Sequence, residues 1–99
     1  MSITVVKTLR RPATSVAFQP SMSLTQKTHI HENYVLTGKL IFKHVDVSPD
    51  GLTKTITRIF ANQEDYDQYK ADTIIETYRD DSNLHNTTNN ITGTVQVVA

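Results

Sequence analysis

Three residues near position 30 have the types and spacing that a metal site needs. His29, His31 and Glu32 could supply two imidazole nitrogens and a carboxylate to a divalent ion. A further ligand could come from His44 or His85. The two neighbouring histidines would share one face of a strand but point apart on a helix. Because histidine pairs at this spacing are common on protein surfaces, we favour an exposed cluster and predict no metal site.

The tyrosines and the remaining histidines offer a second kind of chemistry. A tyrosine has an apolar ring and a polar tip, so a group of them can line a small-ligand pocket, although it can equally pack a helix onto a sheet. A histidine titrates near neutral pH and can act as an acid or a base, but no partner carboxylate is predicted for either His44 or His85. No catalytic residue is assigned, and the candidate ligand-binding residues are Tyr34, His44, Tyr66, Tyr69 and His85.

Composition excludes several other classes of site. The chain has no Cys, which rules out disulfides, a thiolate nucleophile and a Cys-based zinc site. Gly-rich phosphate loops are absent, and no cofactor is predicted. Net charge is 0 at pH 7, and the basic group Lys7, Arg10 and Arg11 is small and lacks a set of stacking aromatic residues. We therefore predict neither a nucleic-acid partner nor a membrane surface.

Charge is distributed unevenly along the chain. Residues 1–61 carry eight Lys and Arg against three Asp and Glu, whereas residues 62–99 carry two against seven. The simplest interpretation is a solvated acidic helix face in the second part. Electrostatic matching between subunits is the alternative.

The first third of the chain gives one clear element and one weak one. Residues 3–9 alternate apolar and polar side chains, which predicts a strand that ends before Pro12. Residues 14–19 fit a short strand or an extended connector. A helix from Ser21 to about Asn33 is predicted, although its Thr and His residues weaken it.

The middle of the chain predicts a β-hairpin. Strands are expected over residues 34–47 and 52–61, joined by a turn at Ser48-Pro49-Asp50-Gly51. Pro, Asp and Gly each favour a turn for a different backbone reason. The side chains expected to be buried in this hairpin are Leu36, Leu40, Phe42, Ile56 and Phe60.

The last part predicts a helix and a final strand. Asn62 can cap a helix over residues 63–80, with Tyr66, Tyr69 and Ile74 facing the sheet. Residues 82–90 are dense in turn-forming residues and predict a surface loop or a frayed helix end. Residues 91–98 predict the last strand, in which Gly93 would allow a bulge or a close backbone approach.

These elements give the order β-α-β-β-α-β, an α+β ferredoxin-like sandwich with a four-stranded antiparallel sheet in one domain, 1–99. Residues 58–69, Arg-Ile-Phe-Ala-Asn-Gln-Glu-Asp-Tyr-Asp-Gln-Tyr, resemble the strand-to-helix corner of the dimeric α/β-barrel proteins related to antibiotic-biosynthesis monooxygenases. The resemblance implies a dimer formed by apposed sheets and a pocket between each sheet and its helices. The chain has no Trp and a poor first helix, unlike the enzyme members, and no catalytic residue is carried over.

Two functions fit this sequence. We favour a non-enzymatic dimeric module, an accessory or phage-type protein, over a cofactor-independent monooxygenase-like enzyme or small-ligand binder. No signal-peptide core or run of about 18 apolar residues is present, so a soluble cytoplasmic protein is expected. An apolar second sheet face predicts a homodimer. Its residues are Val6, Val35, Ile41, Val45, Ile59 and Val98.

Overall fold

Four antiparallel strands and three helices follow the predicted order β-α-β-β-α-β, except that the second helical region is divided into two helices. The computed structural model describes all residues, 1–99. The strands are β1 (Ile3–Arg10), β2 (Leu40–Val47), β3 (Thr53–Phe60) and β4 (Thr92–Val98), and the helices are α1 (Leu24–Ile30), α2 (Gln63–Ala71) and α3 (Thr73–Thr88). The strands lie in the order β2-β3-β1-β4, so the predicted ferredoxin-like sheet is confirmed. None of the helices is long and apolar enough to cross a membrane.

One face of the sheet carries the helices, and the register shows which residues point to it. Ile3, Val5 and Leu9 alternate along β1 and are buried, so they mark the helix-covered face. Paired residues of neighbouring strands share a face, and Phe60 pairs with both Ile3 and Leu40. The largest core cluster forms around this group: Ile3, Val5, Tyr34, Leu40, Phe60, Tyr66, Tyr69 and Ile75.

The turn predicted at residues 48–51 is confirmed. The amide of Gly51 donates to the carbonyl of Ser48 at 2.8 Å, and the amide of Ser48 donates to the carbonyl of Thr53 at 2.8 Å. Gly51 has a φ of +74°, a conformation that costs other residues steric strain. The turn therefore sets the register in which β2 and β3 pair.

The strand predicted to begin at Tyr34 is wrong in its first part. Tyr34 and Val35 belong to a π-helical turn, His31–Val35, that continues α1, and the Leu36 amide donates to the carbonyl of His31 at 2.9 Å. The backbone is helical here and not extended, and the helix is stabilised at its start by a complete capping box at Ser23. The extra residue of the π turn places Tyr34 in the core, where it is 0% exposed.

Two of the side chains predicted to be buried in the hairpin are exposed. Leu40 and Phe60 are buried as expected and Ile56 is half-buried, but Leu36 is 69% exposed and Phe42 is 49% exposed. Leu36 follows the π turn and precedes the strand. Phe42 follows an irregularity at Ile41, across which the pairing slips by one residue. A bulge of this kind moves every later side chain to the other face, which is why Phe42 points away from the helices.

The predicted helix over residues 63–80 is two helices. Asp72 is extended, with ψ of 121°, and its Oδ1 accepts a hydrogen bond from the Ile74 amide at 3.0 Å, so it ends α2 and caps α3. The break changes which residue faces the sheet: Ile75 is buried and Ile74 is only half-buried, whereas Tyr66 and Tyr69 are buried as predicted. Helix α3 then continues to Thr88, through most of the segment predicted as a surface loop or a frayed helix end.

Residues 11–23 form an irregular connector, and no strand occurs over residues 14–19. Arg11 holds this connector. Its Nε donates to the carbonyl of Gly51 at 2.7 Å, its Nη1 donates to the carbonyl of Val16 at 3.0 Å, and its guanidinium lies 4.6 Å from the centre of the Phe18 ring. The connector is thereby fixed beside the end of the sheet where the hairpin turns.

Candidate functional site

A cavity of about 450 Å³ lies between the sheet and the helices. Its walls come from all four strands, all three helices and the connector, which contributes Gln19, Ser21 and Met22. Small-molecule sites in proteins typically measure about 300 to 1,000 Å³. The cavity is therefore large enough for a ligand of modest size.

Aromatic residues close one end of the cavity. Phe60, Tyr66 and Tyr69 line it, and the Phe60 ring centre lies 4.9 Å from that of Tyr69 and 5.1 Å from that of Tyr66. Tyr34 lies behind this wall, with its ring centre 5.3 Å from that of Tyr69. These short distances leave no space for a ligand on the core side of the wall.

Along the strands, apolar and cationic side chains alternate on the cavity face. Lys7 lies between Val5 and Leu9 on β1, and Arg58 lies between Ile56 and Phe60 on β3. A half-buried strand usually keeps its charged residues on the solvent face. Here the charges point to the same side as the core residues.

The charges that line the cavity are all positive. No Asp or Glu contributes to the wall, and only Lys70 has a carboxylate within 4.0 Å, that of Asp67 at 3.4 Å. The lining cations are Lys7, Lys27, Lys43, Lys54, Arg58, Lys70 and Arg79. Their mutual repulsion is therefore not offset by acidic neighbours.

This arrangement shifts the pKa values of two lysines. Burial lowers the pKa of Lys7, and the positive charges of Arg58, Arg79 and Lys54 lower it further. Burial likewise lowers the pKa of Lys43, although the residue as a whole is exposed, because the cavity wall removes water from one side of it. Both shifts have the sign expected for cations that face other cations in a partly dry space.

Helix α3 supplies the polar part of the roof. Ser82 and Asn86 are buried, and the Oδ1 atom of Asn86 has no hydrogen-bond partner. The Tyr78 hydroxyl donates to the carbonyl of Pro20 at 3.0 Å and so ties the connector to the roof. Asn86 therefore lines the cavity while its Oδ1 is a buried acceptor without a partner.

No protein-family model matches the chain, and no curated protein matches it in sequence. Solved structures match over nearly its whole length. SnoaB, a cofactor-independent oxygenase from Streptomyces nogalater, aligns with a TM-score of 0.66 at 6% identity, covering 99% of this chain and 91% of the other. An antibiotic biosynthesis monooxygenase aligns with a TM-score of 0.60 at 14% identity, covering 100% and 97%. A dimeric ferredoxin-like protein from an uncultured marine organism aligns with a TM-score of 0.62 at 9% identity, covering 98% and 92%.

The fold is that of the antibiotic biosynthesis monooxygenases. The resemblance noted over residues 58–69 is thus confirmed for the fold. At such low identity the likeness extends to the arrangement of the elements and does not carry an activity or a catalytic residue to this chain.

Within this monooxygenase fold, the five candidate ligand-binding residues do not lie together. Tyr66 and Tyr69 line the cavity, but Tyr34 lies in the core behind them. His44 pairs with Thr57 on the opposite face of the sheet and stacks on Phe42, with ring centres 6.5 Å apart. The Nε2 of His85 donates to the carbonyl of Ala17 at 2.8 Å, which holds the connector. Ligand binding by these residues stays a prediction.

The possible metal cluster is also dispersed. His29 lies on α1, and its Nε2 is 2.6 Å from Oδ2 of Asp72, whereas His31 and Glu32 are exposed. No group of three His, Asp or Glu side chains comes close enough to hold a metal ion. The cluster contributes instead through His29, which links α1 to the junction of α2 and α3.

Asp72 is the centre of that link. Its Oδ2 also accepts a hydrogen bond from the Tyr34 hydroxyl at 2.8 Å. Burial alone would raise the pKa of Asp72, but the hydrogen bonds from His29, Tyr34 and the Ile74 amide outweigh it and lower the pKa. Burial and this same hydrogen bond raise the pKa of Tyr34. The carboxylate thereby joins three helical segments at the core end of the monooxygenase fold.

Sequence reasoning missed the cationic lining. A signal for part of it exists, because Lys7 and Arg58 occupy alternate positions between apolar residues on two predicted strands. Lys43 gives no such signal. The bulge at Ile41 turns it toward the helices, and a bulge cannot be read from the alternation alone.

Proposed function

We propose that this protein binds a small molecule in the cavity between its sheet and its helices. The observation that carries the proposal is the cavity of about 450 Å³, which combines aromatic and aliphatic walls with a few polar groups. A non-enzymatic module of the kind favoured from the sequence needs only a filled core. Here the core fills one end, and the space beside it is open.

Binding of a neutral fluorescent probe, N-phenyl-1-naphthylamine, tests this proposal. We expect its fluorescence to rise on addition of the protein and to saturate. In an Ile56→Trp variant the larger side chain would occupy the cavity, since Ile56 lies in its floor, and binding should be lost. Thr77→Trp, an exposed position on α3 outside the cavity, is the matched control. Equal binding by wild type and Ile56→Trp would reject the cavity as the site.

A second function, oxygenation without a cofactor, is favoured by the cationic lining. An oxygenase without a cofactor must take electrons for O₂ from its substrate, and a deprotonated phenol or enol gives up electrons more readily than the neutral form. Cations held in a partly dry cavity stabilise such an anion. Lys7 belongs to this lining, and burial and the neighbouring cations lower its pKa from the ordinary value.

Oxygen uptake with a dihydroxynaphthalene tests the second function. We expect uptake above the spontaneous rate, unchanged by EDTA and lowered in Arg58→Gln. Lys39→Gln, which removes a cation outside the cavity, should keep the wild-type rate. Uptake no faster than the spontaneous rate at any protein concentration would reject oxygenation of this substrate class.

We also propose that the chain forms a homodimer through the sheet face opposite the helices. Of the six residues predicted there, Val6, Ile59 and Val98 lie on this face. Val45 does not, because the bulge turns it into the cavity wall. Val35 lies in the π turn, and Ile41 lies at the bulge itself. Phe42 joins the face instead, 49% exposed.

Apolar side chains exposed on this face support a partner there, since Phe42 and Val98 are each 49% exposed. Among the solved structures with this fold, one is described as dimeric. An isologous dimer would cover Phe42, Ile59 and Val98 without a foreign partner.

Light scattering during size-exclusion chromatography tests the dimer. We expect twice the chain mass of 11.2 kDa, and a return to the monomer in Ile59→Lys. Leu84→Lys is the control, because Leu84 is 68% exposed on the helix side of the molecule. A wild-type mass of one chain would reject the dimer.

A further inference from the structure

We propose that the ligand of the cavity is an organic anion, with an apolar or aromatic body and at least one oxyanion group such as a carboxylate, sulfonate or phosphate. The inference rests on the proposed small-molecule binding and adds the chemical class of the ligand. The geometry that points to it is the convergence of seven cations on one cavity, six of which have no carboxylate within 4.0 Å.

The cations reach the cavity from both of its sides. Helix α1 contributes Lys27, α2 contributes Lys70 and α3 contributes Arg79, while the strands contribute four more. Seven of the ten Lys and Arg residues of the chain line this cavity, and none of its ten Asp and Glu residues does. Net charge is 0, so the asymmetry comes from placement and not from composition.

Two of the cations are direct neighbours across the sheet. Lys43 and Arg58 are paired residues of β2 and β3, on the same face. Like charges at directly opposed positions destabilise a sheet. No carboxylate lies within 4.0 Å of either, so no salt bridge offsets this repulsion.

Two structural explanations account for part of this pattern. Long cationic side chains often cover apolar surface while the charged head reaches water. Aromatic rings also attract cations, and here the Arg58 guanidinium lies 5.9 Å from the Tyr69 ring centre and Lys70 Nζ 4.4 Å from that of Tyr66. Neither explanation neutralises the positive charge of the cavity wall. The charges of Lys7 and Lys43 stay partly desolvated and face further cations, as their lowered pKa values show.

The remaining wall residues define the rest of the ligand. Val5, Leu9 and Ile56 alternate with the cations on the cavity floor, so an apolar body can lie on them while its oxyanion meets an ammonium or guanidinium group. An amphipathic anion matches this lining.

Two probes that differ by a single sulfonate group test the inference. 8-Anilino-1-naphthalenesulfonate carries a sulfonate on the same anilinonaphthalene body as neutral N-phenyl-1-naphthylamine. We expect the sulfonate to bind the wild-type protein about ten-fold more tightly, with about one probe per chain. Lys43→Met should remove most of that advantage and change the affinity for the neutral probe much less. Lys39→Met is the matched control, since Lys39 lies outside the cavity and donates to Gln68.

Amide chemical shifts of β1 and β3 locate the bound probe, so that binding elsewhere on the chain is recognised. Shifts concentrated at Lys7, Ile56 and Arg58 would support the inference. Equal affinities for the two probes, both insensitive to Lys43→Met, would overturn the anionic class while leaving small-molecule binding intact. Failure of both probes to bind would overturn the proposed function together with the inference.

Discussion

The space between the sheet and the helices has two ends that differ in kind. At the closed end, Phe60, Tyr34 and Tyr69 pack ring against ring, and Phe60 and Tyr34 are 0% exposed. At the open end, Lys7 of β1 and Arg58 of β3 point into a cavity that no carboxylate lines. The closed end therefore stabilises the fold, and the open end offers the space in which a ligand can bind.

A short chain with few large apolar residues concentrates its buried side chains at one end of the sheet. Only 12 of 99 residues are buried, and most of those lie at the closed end. Residues that repel one another at the open end lower stability, so a requirement other than folding explains them best. Each prediction below perturbs one end and compares it with the other.

The largest effect is expected at the closed end. Phe60→Ala should lower the free energy of unfolding by about 3 to 5 kcal/mol, since it leaves a void among Tyr66, Tyr69 and Leu40. Urea unfolding measures the loss. Ile56→Ala, on the same strand but in the cavity floor, should cost about 1 kcal/mol because Ile56 is only half-buried. Similar losses in the two variants would contradict the division between the ends.

A smaller loss of unfolding free energy is expected when the junction of α2 and α3 is weakened. Asp72→Asn should cost about 1 to 3 kcal/mol, because the amide cannot satisfy His29, Tyr34 and the Ile74 amide together. The pKa of Asp72 is lower in the folded state, so its stabilisation is complete above its unfolded pKa of about 3.9 and is lost as pH falls through the folded pKa. Acid titration of stability should be shallower in Asp72→Asn. An unchanged slope would show that this carboxylate does not stabilise the fold.

Much of the closed end could be predicted from the sequence, and most of the open end could not. The order of elements, the turn at 48–51 and the burial of Tyr66, Tyr69 and Phe60 follow from alternation, turn residues and helical spacing. These are local properties of the chain.

The open end depends on events that local patterns do not encode. The bulge at Ile41 reversed the faces of β2, and the break at Asp72 moved the buried position from Ile74 to Ile75. Asp72 caps α3 through its Oδ1, while its Oδ2 contacts His29, 43 positions earlier in the chain. His44 and His85 were predicted as ligand-binding residues from their residue type, yet the cavity is lined by lysines and arginines from six elements that meet only in the tertiary structure.

A still smaller effect of pH is expected from the open end. The pKa values of Lys7 and Lys43 are lowered on folding, so the unfolded chain binds more protons and stability rises as pH passes from their folded pKa values toward about 10.4. Urea unfolding between about pH 8 and 10 should show this rise. The range stops at pH 10 because the raised pKa of Tyr34 gives stability that is lost above it. A fall over this interval would mean that the cavity lysines are not repelled in the folded state.

A Lys7→Met variant tests whether the open end is a binding site that is kept although its cations repel one another. Urea unfolding and titration with 8-anilino-1-naphthalenesulfonate are carried out on the same sample of this variant. Removing a partly buried cation while keeping its apolar stem should raise the free energy of unfolding by about 0.5 kcal/mol, a value reduced for solvent screening, and should weaken probe binding. A variant that is less stable than wild type and binds the probe equally well would contradict this interpretation of the open end.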